Sequence, residues 1–251
     1  MTRNPTIDYA LRLGDDALIL GQRLGEWCGH APTLEVDLSL ANLALDLIGQ
    51  ATLFLGVAAA VENEGRDADW FAFRRDTLDY YNCLLVEQPN GDFGQTIARQ
   101  FLYSTWQQLF FSELVKSKNQ EFADIATKAL KEVKYHAELA TDWMIRLGDG
   151  TEESNSRVKN GLAWMWRCVD ELFENDEIDK ALIAEGVAVD KQALRPAFDA
   201  QVAAVLAQAN LALPAATRPF TGGRRGQHSE HLGHILSEMQ FLPRAYPDAV
   251  W

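Results

Sequence analysis

Residues 36–61 read VDLSLANLALDLIGQATLFLGVAAAV, and after Asp37 the only charge in this stretch is Asp46. A helix that is apolar on every side has to be covered by other helices or by lipid. Asn42, Asp46 and Gln50 recur every four residues and predict a polar seam along one side. Because a carboxylate and two amides need partners that a protein interior supplies, we interpret the stretch as the central helix of a soluble bundle, with the seam facing its neighbours.

The composition predicts a large, acidic, folded domain. The chain has 251 residues and a net charge of -13, and 47% of its residues are hydrophobic. Such a supply of core side chains excludes disorder and predicts a single domain over residues 1–251. Phosphate groups are bound by clustered Lys and Arg, so we expect neither nucleic acid nor an anionic membrane as a partner.

The cysteines and the N-terminus bear on the cellular location. Cys28, Cys83 and Cys168 are odd in number and far apart in apolar helical sequence, which predicts reduced thiols in the core. Asp15 and Asp16 fall where a signal peptide would have its apolar region. Together with a mean hydropathy of -0.18, these features predict a cytoplasmic protein.

Apolar periodicity and capping signals predict helices along the whole chain and no strand. Four long helices form the predicted core, over residues 7–28, 36–61, 92–116 and 117–147. Shorter helices are predicted over 67–75, 76–86, 151–173, 174–186, 190–209 and 228–245, with a turn at 87–91 and one long loop at 214–227. The predicted fold class is all-α, a ferritin-like helical bundle of four long core helices with additional C-terminal helices.

Bundles of this class often hold two metal ions through a Glu-x-x-His pair on each of two helices, because residues i and i+3 share one helix face. This chain contains no Glu-x-x-His. In the nearest matches, Leu47 and Gln50 occupy the two positions on the central helix, and Val133 and His136 occupy them on the fourth long helix. We therefore predict degenerate ligand positions, no metal site and no catalytic residue in this chain.

Isolated polar residues leave a structural and a chemical interpretation open. Asp15, Asp16 and Asp46 are the carboxylates that remain to accompany His136 in a metal site. A hydrogen-bonded core histidine is the favoured interpretation of His136. A carboxylate bonded to its seam neighbours is favoured for Asp46 over a catalytic acid.

Three further segments could bind ligands, although a structural role is favoured for the first two. His228, His231 and His234 step by three and fan over about 120° of one helix, without a second group of metal ligands. The basic loop 221–226, TGGRRG, precedes a helix and is a candidate phosphate loop. The segment 79–82, DYYN, suits stacking on a ligand or packing under a neighbouring subunit.

Six stretches spread over the chain closely resemble the C subunits of bacterial ring 1,2-phenylacetyl-CoA epoxidases, a ferritin-like family. They are LRLGDDALILGQRLGEWCGHAP at 11–32, LANLALDLIGQA at 40–51, LLVEQPNGDFGQTIARQF at 84–101, KEVKYHAEL at 131–139, ELFENDEIDKAL at 171–182 and GQHSEHLGHILSEMQFLPR at 226–244. The resemblance implies a subunit of a multicomponent monooxygenase that epoxidises phenylacetyl-CoA in aerobic phenylacetate degradation, with electrons from a reductase subunit.

The resemblance also implies a division of labour. In this family the related A subunit is the di-iron oxygenase, and the C subunit is a sister bundle that has lost the ligands and acts as its structural partner. We accordingly expect no cofactor in this chain, di-iron in the partner, and a heterodimer joined through a large apolar interface between long central helices.

The resemblance places coenzyme A near the join of the two subunits. We expect this chain to contact it through Asp79, Tyr80, Tyr81 and Asn82 and through Lys180, a lone base among acidic residues. Two alternative functions stay open. A self-contained di-iron or metal-storage ferritin-like protein needs ligands that the sequence lacks, and an acyl-CoA-binding helical protein would bind phenylacetyl-CoA without a partner.

Overall fold

The computed structural model describes residues 4–215, 218–247 and 249. These residues form helices α1 Pro5–Gly25, α2 Leu34–Glu62, α3 Ala68–Phe73, α4 Leu84–Glu87, α5 Phe93–Leu114, α6 Gln120–Gly148, α7 Glu152–Trp166, α8 Glu177–Glu185, α9 Arg195–Gln208, α10 Glu230–Met239 and α11 Phe241–Ala245. Short 3-10 turns cover Thr77–Asp79, Asp170–Phe173, Gln192–Leu194 and Gly223–Arg225. No strand occurs in the described ranges, and the all-α prediction is confirmed.

The chain divides into two compact units. Unit 1 comprises Met1–Gln88 and Thr221–Trp251, and unit 2 comprises Pro89–Phe220. The C-terminal helices α10 and α11 therefore belong to the unit that the N-terminal helices form. The single domain expected over residues 1–251 stays a prediction.

The longest helices of unit 1, α1 and α2, pack antiparallel. The side chain of Asn4 caps the start of α1, and that of Thr33 caps the start of α2. α2 ends at Asn63, which has the left-handed backbone conformation typical of a helix C-terminus (φ 55°). Close approach of the two helices depends on Gly14, since a Cβ atom there would lie 2.7 Å from the side chain of Leu55.

In unit 2, α5 packs against both α6 and α7. The carboxylate of Asp92 caps α5 by accepting a hydrogen bond from the amide of Gln95 at 2.9 Å. Phe93 at the start of α5 meets Trp143 near the end of α6 edge to face, with ring centroids 5.0 Å apart. Gly161 brings α7 against α5, because a Cβ atom there would lie 2.5 Å from the Cα atom of Gln95.

The apolar stripe predicted for the fourth long helix is largely confirmed on α6. Its buried members are Ile125, Ala129, Val133, His136 and Ala140, whereas Trp143 is half-buried. A helix with one buried face in this spacing places its remaining side chains outward, and most of those of α6 are charged.

The helix predicted over residues 76–86 is wrong. Only the turn Thr77–Asp79 and the first three residues of α4 are helical there, with an extended link between them. In this link the backbone amides of Tyr81 and Cys83 donate hydrogen bonds to the side chains of Asp15 (2.9 Å) and Asp16 (2.7 Å). These two buried carboxylates thus accept hydrogen bonds from backbone amides that would donate to carbonyl oxygens within a helix.

Several shorter helices are predicted too long. The stretch 151–173 is helical to Trp166 and then forms the turn Asp170–Phe173, and 174–186 is helical only over α8. The stretch 190–209 divides into the turn Gln192–Leu194 and α9, and 228–245 divides into α10 and α11. The predicted loop 214–227 contains the turn Gly223–Arg225, and its residues 216 and 217 lie outside the described ranges.

The prediction of a single buried polar row on α2 is wrong. Asn42 is exposed, Asp46 is half-buried and Gln50 is buried. A step of four residues turns a helix by about 400°, so each successive member is displaced by about 40° around the axis. Over two steps the row passes from the outer side of the helix to the inner side.

Two further expectations concern Cys28 and the apolar character of α2. Cys28 is exposed, in contrast to the prediction of a core thiol, whereas Cys83 and Cys168 are buried, and none of the three forms a disulfide bond. Within the described ranges, α2 is the one helix long and apolar enough to cross a membrane, and half of its apolar stretch is buried. One such helix is weak evidence, since core helices of soluble proteins have the same length and composition.

Candidate functional site

The most densely bonded polar site of unit 1 lies around the middle of α1. We call it the arginine–carboxylate cluster and define it by Asp15, Asp16, Arg75 and Arg224. The two carboxylates are fully buried, and the two guanidinium groups are 5% and 7% exposed. Buried charges of this kind persist only when each is paired and its remaining hydrogen-bonding atoms are satisfied.

Arg75 neutralises Asp15 through two hydrogen bonds, one of them from Nη1 at 3.0 Å. The same guanidinium donates to the carbonyl oxygens of Phe71 (2.6 Å) and Asp79 (2.9 Å) and stacks on the Tyr80 ring at 4.2 Å. Burial acts to lower the pKa of Arg75, but the Asp15 carboxylate raises it overall. The pair therefore fixes the segment between α3 and α4 to α1.

Arg224 neutralises Asp16 in the same bidentate manner, with hydrogen bonds of 3.0 and 2.7 Å. Nη1 also donates to the carbonyl oxygens of Arg12 and Tyr81. Burial raises the pKa of the Asp16 carboxyl, and the guanidinium of Arg224 with the Cys83 amide acts against that rise. The loop 221–226, predicted as a phosphate loop, thus uses Arg224 to bind a carboxylate of its own chain.

A second buried pair joins α4 to the segment before α10. Nδ1 of His228 lies 2.7 Å from Glu87 Oε2, and its Nε2 lies 2.8 Å from the carbonyl oxygen of Tyr80. Glu87 also accepts hydrogen bonds from the Ser229 amide (2.6 Å) and from Asn82 (2.9 Å). Because a carbonyl oxygen and a carboxylate both accept, this geometry favours the imidazolium form of His228 with both ring nitrogens protonated.

The structure separates the three histidines that the sequence grouped. His228 is held by Glu87, whereas His231 is half-buried and His234 is exposed. No group of three or more His, Cys, Asp or Glu side chains in the described part of the chain is arranged to hold a metal ion.

The degenerate ligand positions are buried but fall in two units. Leu47 and Gln50 belong to unit 1, Val133 and His136 belong to unit 2, and none is more than 2% exposed. A di-iron centre needs several carboxylates, whereas these four positions supply one amide and one imidazole. The residues present do not fit a di-iron centre, and the expectation that this chain binds no metal stays a prediction.

The residues expected to contact coenzyme A differ widely in their surroundings. Tyr80 and Asn82 are fully buried, and burial raises the pKa of the Tyr80 phenol. The hydroxyl of Tyr80 donates to the carbonyl oxygen of Ala72, and the amide of Asn82 donates to Glu87. Both side chains therefore act in the interior of unit 1 and are poorly placed to stack on a ligand.

The other three residues of that group are more accessible. Asp79 is exposed, Tyr81 is half-buried, and Lys180 of unit 2 is exposed. A hydrogen bond of 2.7 Å to Glu177 raises the pKa of Lys180. The contact of these residues with coenzyme A stays a prediction.

Sequence reasoning missed the cationic half of the buried network. Arg75 and Asp15 are 60 positions apart, and Arg224 and Asp16 are 208 positions apart. Such distant pairs leave no periodic signal. The available sign was in the composition, since Asp15 and Asp16 lie in a largely apolar stretch of α1 and, once buried, require cationic partners elsewhere in the chain.

The outer face of α2 carries four exposed apolar side chains. Leu34, Leu38, Leu45 and Ile48 are 71%, 56%, 65% and 36% exposed. At about 100° per residue they lie within about 80° of one helix face. We call this set the α2 outer face. Contiguous exposed apolar side chains of this kind mark a surface that another molecule covers.

Fold and site together define an all-α chain of the ferritin-like class, with no group of metal-binding side chains in the described part of the chain. The family described as "Phenylacetic acid catabolic protein" matches residues 1–251, and the chain belongs to this family. Over 248 residues it is 49% identical to the C subunit of the 1,2-phenylacetyl-CoA epoxidase of Escherichia coli (strain K12), a match that covers 99% of this chain and 100% of that protein. The resemblance noted in the sequence and the predicted fold class are confirmed.

Proposed function

We propose that this chain is a non-catalytic structural subunit of a multicomponent 1,2-phenylacetyl-CoA epoxidase, in which it pairs with and stabilises the homologous di-iron catalytic subunit. The observation that carries the proposal is the α2 outer face, seen in a chain whose full-length relative is a subunit of that epoxidase. A cytoplasmic location and a role in aerobic phenylacetate degradation belong to the same proposal.

The energetics favour a permanent partner on this face. Burying a leucine or isoleucine side chain stabilises a complex by about 1.5–3 kcal/mol before entropic costs, and four such residues lie side by side. Gly49 is exposed and Gly56 is half-buried, and a Cβ atom at either would meet nothing within 4 Å. A partner helix can therefore approach the α2 backbone closely, as obligate apolar interfaces require.

The buried positions support a structural role rather than a catalytic one. Leu47 and Val133 are fully buried and carry no atom that could bind iron, so catalysis by iron would have to come from another chain. Neither a self-contained metal protein nor a stand-alone acyl-CoA carrier is favoured by a contact that we observe. Each of these two alternatives predicts a different result from the proposal in the co-purification and iron measurements.

The test combines co-expression with the catalytic subunit and substitutions on the α2 outer face. Leu38→Glu together with Leu45→Glu should abolish co-purification, because two carboxylates would be buried at the interface. Leu78→Glu is the matched control, since Leu78 is 77% exposed in the same unit but lies outside α2. Each isolated variant should keep the thermal midpoint of the native chain.

Iron content measured separately for each purified chain completes the test. We expect iron to accompany the catalytic partner. A content close to two irons per copy of this chain would contradict the proposal, as would co-purification that survives the double substitution. Binding of phenylacetyl-CoA by the isolated chain would instead support the acyl-CoA-binding alternative.

A further inference from the structure

A groove in unit 1 lies between α3 and the C-terminal helices α10 and α11. Its volume is about 650 Å³, within the range of sites that bind ligands. The walls are apolar and include three aromatic rings, and they comprise Trp70, Phe73, Met239, Leu242, Pro243 and Tyr246. Leu242 and Tyr246 are 49% and 61% exposed. We call this site the α3–α11 groove.

The charged side chains of the groove are mainly acidic. Asp67, Asp69 and Glu238 line it together with Arg74, so three carboxylates stand against one guanidinium. Arg74 donates a long hydrogen bond to the carbonyl oxygen of Pro247, at 3.5 Å. Among the residues that the structure describes, the side chains of Asp69 and Glu238 form no hydrogen bond and no ion pair. The groove therefore has an excess of negative charge, and two of its carboxylates lack a cation from the described part of the chain.

The other arginines next to the groove do not cancel this excess. Arg66 forms ion pairs with Glu62 and Glu64. Arg244 pairs with Asp76 at 2.8 Å. Each of these guanidinium groups is already matched by at least one carboxylate outside the groove.

Unit 1 binds two of its own arginines with the kinds of group that the groove offers. Arg75 bonds to Asp15 and stacks on the Tyr80 ring at 4.2 Å. The guanidinium of Arg66, which is paired with carboxylates, stacks on the Trp70 ring at 4.3 Å. An aromatic face attracts a guanidinium, and a carboxylate accepts hydrogen bonds from it. A groove that combines aromatic rings with unpaired carboxylates offers the same chemistry to an arginine from another molecule.

We propose that the α3–α11 groove binds an extended segment of a partner protein in which an arginine is flanked by apolar side chains, separately from the partner on the α2 outer face. The proposal rests on the proposed role of this chain as a subunit of an assembly. The arginine stacks on Tyr246 and bonds to Asp69 and Glu238, while its apolar neighbours cover Leu242. Arginine suits the groove better than lysine, because a planar guanidinium stacks on a ring and keeps N–H groups for two carboxylates.

The shape of the groove favours a chain segment over a small organic cation. Leu242 and Tyr246 are about half exposed, so the walls leave a small ligand in contact with water. A small ligand gains most of its affinity from enclosure. An extended segment continues beyond an open groove and adds contacts along its length, as peptides do in other grooves lined by aromatic side chains.

The first comparison reverses charge inside and outside the groove. The charge variant carries Asp69→Lys and Glu238→Lys. Its control carries Glu138→Lys and Glu230→Lys, which change the net charge equally at exposed positions outside the groove. All four positions are exposed, so both variants should fold, as circular dichroism will check.

The second comparison removes apolar side chains. The wall variant carries Leu242→Ala and Tyr246→Ala. Its control carries Leu78→Ala and Phe241→Ala, which are 77% and 65% exposed in the same unit and do not line the groove. The other purified subunits of the epoxidase are the probes, titrated one at a time.

We expect one of these subunits to bind the charge variant and the wall variant at least about tenfold more weakly than the native chain, and to bind both controls as it binds the native chain. Overlapping peptides of that subunit should then identify a segment with an arginine that binds the native chain. Exchange of this arginine for citrulline, which keeps its shape and removes its charge, should weaken the peptide at least about tenfold. Its exchange for glutamate should restore binding to the charge variant.

Several results would overturn the proposal. Equal weakening in the charge variant and its control would reduce the effect to net charge. Unchanged binding of every subunit by the charge variant or by the wall variant would exclude the groove as their site. A subunit with no binding peptide, or a peptide that binds equally well with citrulline, would exclude an arginine segment. Self-association that the charge variant abolishes would assign the groove to a second copy of this chain.

The outcome is independent of the partner on the α2 outer face. The charge variant should retain co-purification with the catalytic subunit, and the Leu38→Glu, Leu45→Glu variant should retain binding of the arginine peptide. Loss of co-purification in only the second variant supports the proposed function whatever the groove does. Loss of peptide binding in only the first supports the groove whatever α2 does.

Discussion

The two units of the chain distribute charge in opposite ways. In unit 1 the carboxylates of α1 are buried against arginines, while the outer face of α2 is apolar. In unit 2 the buried face of α6 is apolar but for His136, while its outer face carries lysines. Helices α2 and α6 have equal length, 29 residues each, so the difference between their outer faces lies in the side chains alone. In these helices unit 1 uses charge to hold its own segments together and unit 2 presents charge to its surroundings, although unit 2 also buries the ion pair of Lys191 and Asp179.

The choice of cation follows the same division. All eight lysines of the chain lie between Lys116 and Lys191, in unit 2, and every described cation of unit 1 other than histidine is arginine. A planar guanidinium binds a carboxylate through two bonds and keeps donors for nearby carbonyl oxygens, as Arg75 and Arg224 do. An ammonium group is more strongly hydrated and suits an exposed position. Lys191, which is buried against Asp179, and the exposed Arg225 and Arg244 depart from this preference.

The largest expected effect on stability comes from introducing a charged side chain at a buried position. Leu47→Glu in unit 1 and Val133→Glu in unit 2 each put a carboxylate at a fully buried position. We expect each to lower the free energy of unfolding by about 3–5 kcal/mol, because a carboxylate is removed from water at a fully buried position, with the smaller loss at Val133, where His136 lies one turn away on the same helix face. Urea denaturation measures the loss. The controls Leu45→Glu and Lys134→Glu alter exposed positions of the same helices and should change it by about 0.5 kcal/mol or less.

Removing one partner from a buried pair should cost nearly as much. Arg224→Met leaves Asp16 buried without its guanidinium, and we expect unfolding to become easier by about 3–5 kcal/mol. Arg225→Met is the matched control, since the adjacent Arg225 is exposed, and its effect should stay below about 1 kcal/mol. Equal losses in the two variants would show that the arginine–carboxylate cluster has no special role in unit 1.

These pairs also show how far sequence reasoning reaches. The long helices follow from local periodicity, and α2 begins and ends within two residues of its predicted bounds, 36 and 61. The lack of Glu-x-x-His could be seen because it is a local pattern, and the degenerate ligand positions at Leu47 and Val133 stay a prediction. The partners of Asp15 and Asp16 could not, since they are set by how distant segments meet. The exposed side of α2 was missed for a related reason, because a uniformly apolar helix gives no sign of which face meets a partner.

A smaller effect concerns the Glu87–His228 pair and its dependence on pH. Burial acts to lower the pKa of His228, but the hydrogen bond and charge of Glu87 raise it above the ordinary value of 6.5. The charge of Asp15 adds to the rise in this pKa, and the Tyr80 carbonyl oxygen accepts a hydrogen bond from the second protonated ring nitrogen. A raised folded-state pKa means that the pair stabilises unit 1 fully below about pH 6.5 and that this contribution is lost as pH rises through the folded-state value.

Urea midpoints measured from pH 6 to 9 test this dependence. The native chain should lose stability over that range relative to His228→Gln, which lacks the titrating group. His234→Gln provides the control, because His234 is exposed and should leave the native pH dependence intact. Parallel curves for the native chain and His228→Gln would refute the charged form of the pair.

The smallest effect, and one of opposite sign, is expected inside unit 2. Both polar atoms of the Gln100 amide are buried without a hydrogen-bond partner in the described part of the chain. Gln100→Met replaces this amide by an apolar group of similar shape, so the unfolding free energy should stay equal or rise by about 1 kcal/mol. Gln88→Met in unit 1 should instead lower it by about 1 kcal/mol, since the Gln88 amide donates to the Leu84 carbonyl oxygen at 2.9 Å. Calorimetry of both variants gives the sign. A loss at Gln100 equal to that at Gln88 would mean that unit 2 also relies on its buried polar groups.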